Sequence, residues 1–401
     1  MSVDSGAAPA AVRPAVLTGL LITAMMLSML PLFLLGALGP RLIGEFGGAT
    51  TRLGLLVAAG FAVAALLSPV AGPAVAAIGA RRCLCMMFVI AAAASGLFAA
   101  AHSYVVLVAA IALSGLAQAL ANPTTNQLIA ARIPLARRGT VAGWKQSGVQ
   151  FGAFLAGLPL AAIASATDWR FAVGLTAVIA IGAALLTMFI TKDREPPRFP
   201  ALTVALPRGD AAWMSGFSVF LGAGISAINT YIALYATAQL GLSDAAASAL
   251  VAGLGVAGIA GRVGWTRKSA ALRSPALLLA PLGFGSAIAA AVILIAGPLG
   301  SGLVWIGVLG IGGFAVAANA VSMMTVIATA PPAHVGRESA LVSGGFFAGF
   351  VVGPALFGAL AQHRGYVLAW SAVIAEFLTA AAVAWCWHRR AAVASGPIVR
   401  G

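Results

Sequence analysis

One short segment concentrates polar side chains within an otherwise apolar stretch. It reads Trp144-Lys145-Gln146-Ser147-Gly148-Val149-Gln150, and no acidic residue of that stretch could neutralise the lysine. In a helix starting at Gly139, Lys145 would lie about seven residues, or roughly 10 Å, from the helix start. A charge at that depth in a membrane is costly and points to a function. We expect Lys145 and Gln146 to bind an anion. Snorkelling of the lysine to the headgroups and pairing with an acid on another helix are the alternatives.

A second set of polar side chains recurs every four residues, as Ser114, Gln118, Asn122 and Asn126. On a helix these residues share one face, which needs water or protein rather than lipid. Asn319 corresponds to Asn122 in an internal repeat. We expect Gln118, Asn122 and Asn319 to contact a substrate, and hydrogen bonds that only join helices are the alternative.

Two further groups carry candidate chemistry. Asn229 and Tyr231 lie in one apolar stretch, and a tyrosine there could stack on a flat ligand or anchor at the membrane interface. We expect both to bind substrate. Glu376 is the acid deepest inside an apolar run, so it is the candidate for proton coupling, with structural hydrogen bonding as the alternative.

The remaining reactive residues do not form a pattern typical of an enzyme. The four histidines fall at the ends of apolar runs or in loops, and the three cysteines lack metal-ligand spacing. There is no phosphate-binding Gly-Lys-Ser/Thr loop. We therefore expect no catalytic residues, no metal and no cofactor.

Composition places these side chains in a membrane. Of 401 residues, 61% are hydrophobic and 8% charged, with a mean hydropathy of +1.04, so a soluble fold would lack polar surface. A spanning helix needs roughly 20 apolar residues. Twelve such runs are predicted, at 15–38, 53–78, 83–101, 104–129, 139–162, 169–191, 211–238, 244–264, 275–297, 301–328, 336–361 and 366–388.

The basic residues predict an orientation for these helices. Eighteen Arg or Lys residues, Arg262 among them, are assigned to one set of connections and the tails, and four to the other set. By the positive-inside rule both termini are cytoplasmic, in a multi-pass protein of the cytoplasmic membrane. The net charge of +14 then reports topology, and no nucleic-acid partner is expected.

An internal repeat divides the chain into two halves. Residues 115–171 match 312–368 at an offset of 197, so that Gly148 faces Gly345 and Gly152 faces Gly349. A polar segment with four prolines separates the halves and disfavours continuous helix. The sequence predicts an all-α membrane protein of two pseudo-symmetric six-helix bundles, 1–191 and 211–401, joined by a cytoplasmic linker at 192–210.

The loop after the second helix reads Gly72-Pro-Ala-Val-Ala-Ala-Ile-Gly79-Ala-Arg81-Arg82. It resembles the Gly-x-x-x-Asp-x-x-Gly-Arg-Arg loop of the major facilitator superfamily, although Ala76 replaces the acid. The resemblance, with twelve spans and a central linker, implies that helices 1, 4, 7 and 10 line a cavity. It also implies that Gly72, Gly79, Arg81 and Arg82 form a conformational loop. The family's antiporter glycine pattern is partly present, and close helix packing is its alternative reading.

These observations predict a secondary transporter that works by alternating access. We expect a small organic anion such as a carboxylate as substrate, proton-linked transport and a monomer in the lipid bilayer. Proton-coupled efflux of hydrophobic drugs or metabolites is the alternative function.

Overall fold

The computed structural model describes residues 14–47, 50–188, 207–270, 272, 275–329 and 335–394, and its main elements are twelve long helices. These are α1 (Pro14–Ala37), α2 (Thr50–Ile78), α3 (Ala80–Ala99), α4 (Tyr104–Arg132), α5 (Leu135–Leu155, Ala156–Leu160 and Ala161–Ala166), α6 (Trp169–Thr187), α7 (Asp210–Ala238), α8 (Asp244–Ala270), α9 (Leu279–Leu299), α10 (Leu303–Ile311, Gly312–Val316 and Ala317–Thr329), α11 (Val335–Arg364) and α12 (Tyr366–Ala394). A short helix, Gly39–Phe46, connects α1 to α2.

All twelve helices are long and apolar enough to cross a membrane, which confirms the predicted number of spans. Such helices satisfy every backbone polar group internally, as a lipid environment requires. Twelve crossings return the chain to the side on which it began. We call that side, with the start of α1 and the end of α12, the termini face, and the other side the opposite face.

The two halves use the same helix pairs. In the first half α1 packs on α5, α2 on α4 and α3 on α6; in the second half α7 packs on α11, α8 on α10 and α9 on α12. These pairs correspond when α1–α6 are superposed in order on α7–α12. The packing therefore confirms two pseudo-symmetric six-helix bundles.

Repeat-related glycines lie at equivalent contacts between these pairs. A Cβ added at Gly148 of α5 would overlap the Ile22 carbonyl of α1, and one at Gly345 of α11 would overlap the Ser215 carbonyl of α7. The absence of a side chain thus lets the helix backbones approach closely. This geometry supports the packing explanation of the partial glycine pattern.

The two halves meet along α2 with α11 and along α5 with α8. Near the opposite face, the Tyr231 hydroxyl of α7 donates to the Thr50 carbonyl of α2 at 2.9 Å. Thr51 Oγ1 donates to Gln362 Oε1 of α11 at 2.6 Å. Ser248 Oγ of α8 donates to the Ala37 carbonyl of α1 at 3.1 Å. These bonds close the opposite face between the halves.

A polar cluster also lies at the opposite face, between the short helix and the first residues of α6. Glu45 of the short helix accepts hydrogen bonds from the Arg170 guanidinium and, at 2.6 Å, from Trp169 Nε1. The hydrogen bond from Arg170, with that from Trp169, lowers the pKa of the Glu45 carboxyl despite its partial burial. The cluster ties the α1–α2 connection to the start of α6.

The loop between α2 and α3 is short, and Gly79 has a φ of +96°, which favours glycine over residues with a side chain. Arg81 Nε donates to the Thr187 carbonyl at 3.2 Å, and its Nη2 donates to the Met188 carbonyl at 3.1 Å. A cation is favourable there because the carbonyls at a helix C-terminus carry partial negative charge. Arg81 therefore joins this loop to the end of α6.

Residues 192–206 of the predicted linker, 192–210, lie outside the described residues. Many helix ends differ from the predicted bounds by a few residues, and two of these differences affect the site. The fifth helix starts at Leu135 rather than 139, and the eighth continues to Ala270 rather than 264. The second difference changes the position of Arg262, which lies inside α8 and is 6% exposed, so its assignment to a loop was wrong.

Candidate functional site

A central cavity lies between the two halves, on the termini side of the contacts that close the opposite face. The space between its lining side chains, including the part open to solvent, is about 650 Å³. Asn122 lines the cavity, and Asn126, one helical turn nearer the termini face, is exposed. The cavity therefore opens toward the termini face.

The cavity wall combines amides with an apolar surface. Six amide side chains line it: Gln118, Asn122, Gln146, Gln150, Asn229 and Asn319. The apolar surface includes Met25, Met29, Phe33, Phe346, Phe347 and Phe350. Among the described residues that line the cavity, Arg262 carries a charge and none is acidic. The site therefore suits a small ligand with polar and apolar parts.

The structure thus brings together five of the residues predicted from sequence, namely Gln118, Asn122, Gln146, Asn229 and Asn319. They come from α4, α5, α7 and α10. In α10 the π-helical turn Gly312–Val316 immediately precedes the segment that carries Asn319. Such a turn changes the direction of the residues that follow it, and π turns are frequent at functional sites.

Lys145 lies behind the cavity wall rather than in it. Its ammonium donates to Asn122 Oδ1 at 3.2 Å and to Asn126 Oδ1 at 2.7 Å. Lys145 is 2% exposed and about ten residues, roughly 15 Å, from the start of α5, so in this conformation it does not snorkel to the membrane surface. Its contact with the cavity is therefore indirect, through Asn122, which lines the wall.

Arg262 is a cavity residue that the sequence-based prediction missed. It lies about eight residues, or roughly 12 Å, before the end of α8. Its Nη1 donates to the Gln146 carbonyl at 3.2 Å across the α5–α8 contact between the halves. Its position inside the predicted span 244–264 was the feature of the sequence that could have identified it as a buried charge. A guanidinium in a cavity of amides provides directed donors and a permanent positive charge.

Two other predicted residues lie outside the cavity. Tyr231 is buried in the closure of the opposite face, where its ring stacks on Phe357 with centroids 4.7 Å apart. Glu376 lies on α12, does not line the cavity, and its Oε2 has no hydrogen-bond partner among the described residues. Within the described part of the chain, no group of three or more His, Cys, Asp or Glu residues could hold a metal.

Solved structures with this fold include transporters of different substrates. A D-xylose-proton symporter matches with a TM-score of 0.75 and 16% identity, over 93% of this chain and 97% of that one. The human organic anion transporter MFSD10 (TETRAN) matches with a TM-score of 0.72 and 14% identity, over 93% and 100%. A bacterial homolog of the human lysosomal transporter Spinster, inward-facing and occupied, matches with a TM-score of 0.70 and 16% identity, over 93% and 96%. At these identities the likeness shows the fold alone.

The sequence itself gives the family. No curated protein sequence matches the chain significantly. The family model of the Major Facilitator Superfamily matches residues 18–329, which is most of the chain. Together with the twelve spanning helices, this match makes the protein a multi-pass membrane transporter of small molecules, a member of the Major Facilitator Superfamily.

Proposed function

We propose that this transporter moves a small organic anion, such as a carboxylate, through the central cavity by alternating access. The observation that carries the proposal is the charge of the site. Arg262 lines the cavity, Lys145 is hydrogen-bonded to the lining residue Asn122, and the described lining residues include no acid. An anion gains from both cations, whereas a cationic solute would be repelled in this partly dehydrated space.

The apolar wall supports an organic rather than an inorganic anion. Methionines of α1 and phenylalanines of α11 form one surface of the cavity, and such side chains stabilise apolar groups removed from water. Inorganic anions offer no apolar surface to bury. The ligand class that uses both surfaces is a carboxylate attached to an apolar or partly apolar body.

The proposal includes an orientation and an energy source. We place the termini face in the cytoplasm because most basic residues are on its side, so the cavity opens inward. Transport is linked to protons, with Glu376 as the candidate proton site. Since Glu376 does not line the cavity, Glu376→Gln should spare substrate binding and abolish accumulation driven by a pH gradient.

Arg262 provides the direct test of anion selection. Charge-assisted hydrogen bonds contribute about 1.5–3 kcal/mol, so Arg262→Gln should raise the dissociation constant of a transported carboxylate roughly 10- to 150-fold. Arg262→Lys should keep part of the affinity because it keeps the charge but not the planar guanidinium. Arg267→Gln, an exposed site on the same helix, is the matched control and should bind normally.

The measurement is flux of labelled aliphatic and aromatic carboxylates in proteoliposomes, with and without a pH gradient, combined with binding to the purified protein. Lipophilic dyes form the second arm. Saturable carboxylate flux that depends on Arg262 supports the proposal. Dye transport without carboxylate transport would replace it with efflux of hydrophobic compounds, which the apolar wall would also serve.

A further inference from the structure

Hydrogen bonds fix two cavity amides so that Asn122 has its donor left for a ligand and Asn229 has its acceptor left. Lys145 donates to Asn122 Oδ1, so the Asn122 amide group is the end left to act as a donor. On the other side of the cavity, Asn229 Nδ2 donates to the Ile225 carbonyl of its own helix at 2.9 Å. The end of Asn229 left to meet a ligand is therefore its carbonyl oxygen, an acceptor.

The acceptor of Asn229 is buried and unsatisfied. Asn229 is 3% exposed and lines the cavity, yet its Oδ1 has no hydrogen-bond partner among the described residues. Gln118 Oε1 and Gln150 Oε1, on the same cavity, also have no partner among those residues. Three buried acceptors without donors in one ligand cavity are a binding feature that a simple carboxylate would not use, because a carboxylate only accepts.

The acceptors are arranged at a different depth from the donors. Gln118 lies four residues before Asn122 on α4, and Gln150 four residues after Gln146 on α5. Each is thus about one helical turn, or 6 Å, farther from the termini face than its neighbour. Arg262 and the Asn122 amide form a donor end nearer the termini face, and the unpaired carbonyls form an acceptor end deeper in the cavity.

We propose that the substrate is a hydroxylated organic anion, whose carboxylate meets Arg262 and Asn122 and whose hydroxyl donates to Asn229 and the deeper glutamine carbonyls. This inference rests on the proposed anion transport and narrows its substrate class. The donor is a neutral hydroxyl rather than an ammonium group. No acid lies among the described lining residues to compensate a cation near Arg262.

The test compares four six-carbon compounds by calorimetric binding to the purified full-length protein. They are 6-hydroxyhexanoate, hexanoate, 6-aminohexanoate and hexane-1,6-diol. We expect 6-hydroxyhexanoate to bind at least about fivefold more tightly than hexanoate, because hexanoate leaves the buried acceptors unpaired. The zwitterionic amine and the uncharged diol should both bind more weakly than the hydroxy acid.

Two variants test which residues cause the preference for the hydroxy acid over hexanoate. Asn229→Leu removes the acceptor at similar volume and should reduce the preference for the hydroxy acid over hexanoate to nearly one. Arg262→Gln should weaken both acids by a similar factor and leave their ratio unchanged. Ser226→Ala is the control on α7: this serine bonds within its own helix and does not line the cavity, so the preference should persist.

Equal binding of hexanoate and 6-hydroxyhexanoate by the unmodified protein would overturn the hydroxyl inference and leave anion transport standing. Tighter binding of 6-aminohexanoate than of 6-hydroxyhexanoate would also overturn the hydroxyl inference. So would a preference for the hydroxy acid over hexanoate that survives Asn229→Leu. Failure of both acids to bind, with or without binding of the diol, would overturn the proposed anion function together with this inference.

Discussion

At the scale of single residues, the site depends on the hydrogen-bond partners of the buried Lys145 ammonium. Lys145 donates to two asparagine oxygens of α4 instead of reaching a membrane surface. Hydrogen bonds from an ammonium are stronger than neutral ones and hold the acceptor amides in one orientation. We therefore propose that Lys145 positions Asn122 and that Arg262, which lines the cavity, is the cation that meets the ligand.

A double-mutant cycle tests this role of Lys145. Lys145→Met should raise the dissociation constant for a transported carboxylate about tenfold, equivalent to about 1.4 kcal/mol. In an Asn122→Leu background the same change should add little, because the residue through which Lys145 acts is gone. Additive effects of the two changes on binding would mean instead that Lys145 contacts the substrate itself.

At the scale of helices, glycines control how closely paired helices pack. Gly148 lies against the backbone of α1, whereas Gly143 on the same helix has nothing within 4 Å of the position that a Cβ would take. The contrast separates backbone contact from any general effect of glycine in α5. Because interiors are tightly packed, an added methyl group against a backbone carbonyl must displace a helix.

Replacing these two glycines gives a matched comparison. Gly148→Ala should lower the melting temperature of the purified protein, since overpacking costs about 1–3 kcal/mol. Gly143→Ala should be neutral or stabilising by up to about 1 kcal/mol, since alanine favours a helix more than glycine does. A Gly148→Ala protein with normal melting but no transport would contradict the packing role and favour a direct role in antiport.

At the scale of the whole molecule, hydrogen bonds between the halves close the opposite face while the cavity stays open on the other side. Tyr231 links α7 to α2, Thr51 links α2 to α11, and Ser248 links α8 to α1. Alternating access requires these contacts to break when the cavity opens to the opposite face. They therefore bias the equilibrium toward the conformation described.

Weakening this closure should shift the equilibrium in a measurable way. Tyr231→Phe removes a hydrogen bond between the halves of about 1 kcal/mol, which corresponds to a shift of about fivefold. The measurement uses intact cells that express a variant of this protein without its three native cysteines. Phe33→Cys, on the cavity wall, is labelled there by an impermeant thiol reagent. Labelling of this site should rise by about that factor in the Tyr231→Phe background.

Two controls accompany the labelling experiment. Tyr235→Phe removes a long hydrogen bond to Ile293 within the second half and should not change the labelling of the cavity cysteine. Ser103→Cys, before α4 on the opposite face, should react from outside in every background. Protection of Ser103→Cys from outside reagent would reverse the proposed orientation. Unchanged labelling of the cavity cysteine with Tyr231→Phe would show that the Tyr231 hydroxyl does not contribute to the closure of the opposite face.

The sequence by itself determined the membrane class, the twelve helices, the repeat and the family, all of which are confirmed. It also located polar faces on α4 and α5 that do line the cavity. Hydropathy and helical period are local properties set by neighbouring residues, and a bilayer requires each apolar segment to satisfy its own hydrogen bonds. The repeat follows directly from comparing the two halves of the sequence.

Only the tertiary structure decided which partner each polar residue meets. It placed Arg262 in the cavity wall, Lys145 behind Asn122, and Tyr231 in the closure between the halves. Each outcome depends on the rotation and crossing of helices from different parts of the chain. A change of one residue in a helix turns a side chain by about 100°, so small differences in packing decide whether it faces ligand, protein or lipid.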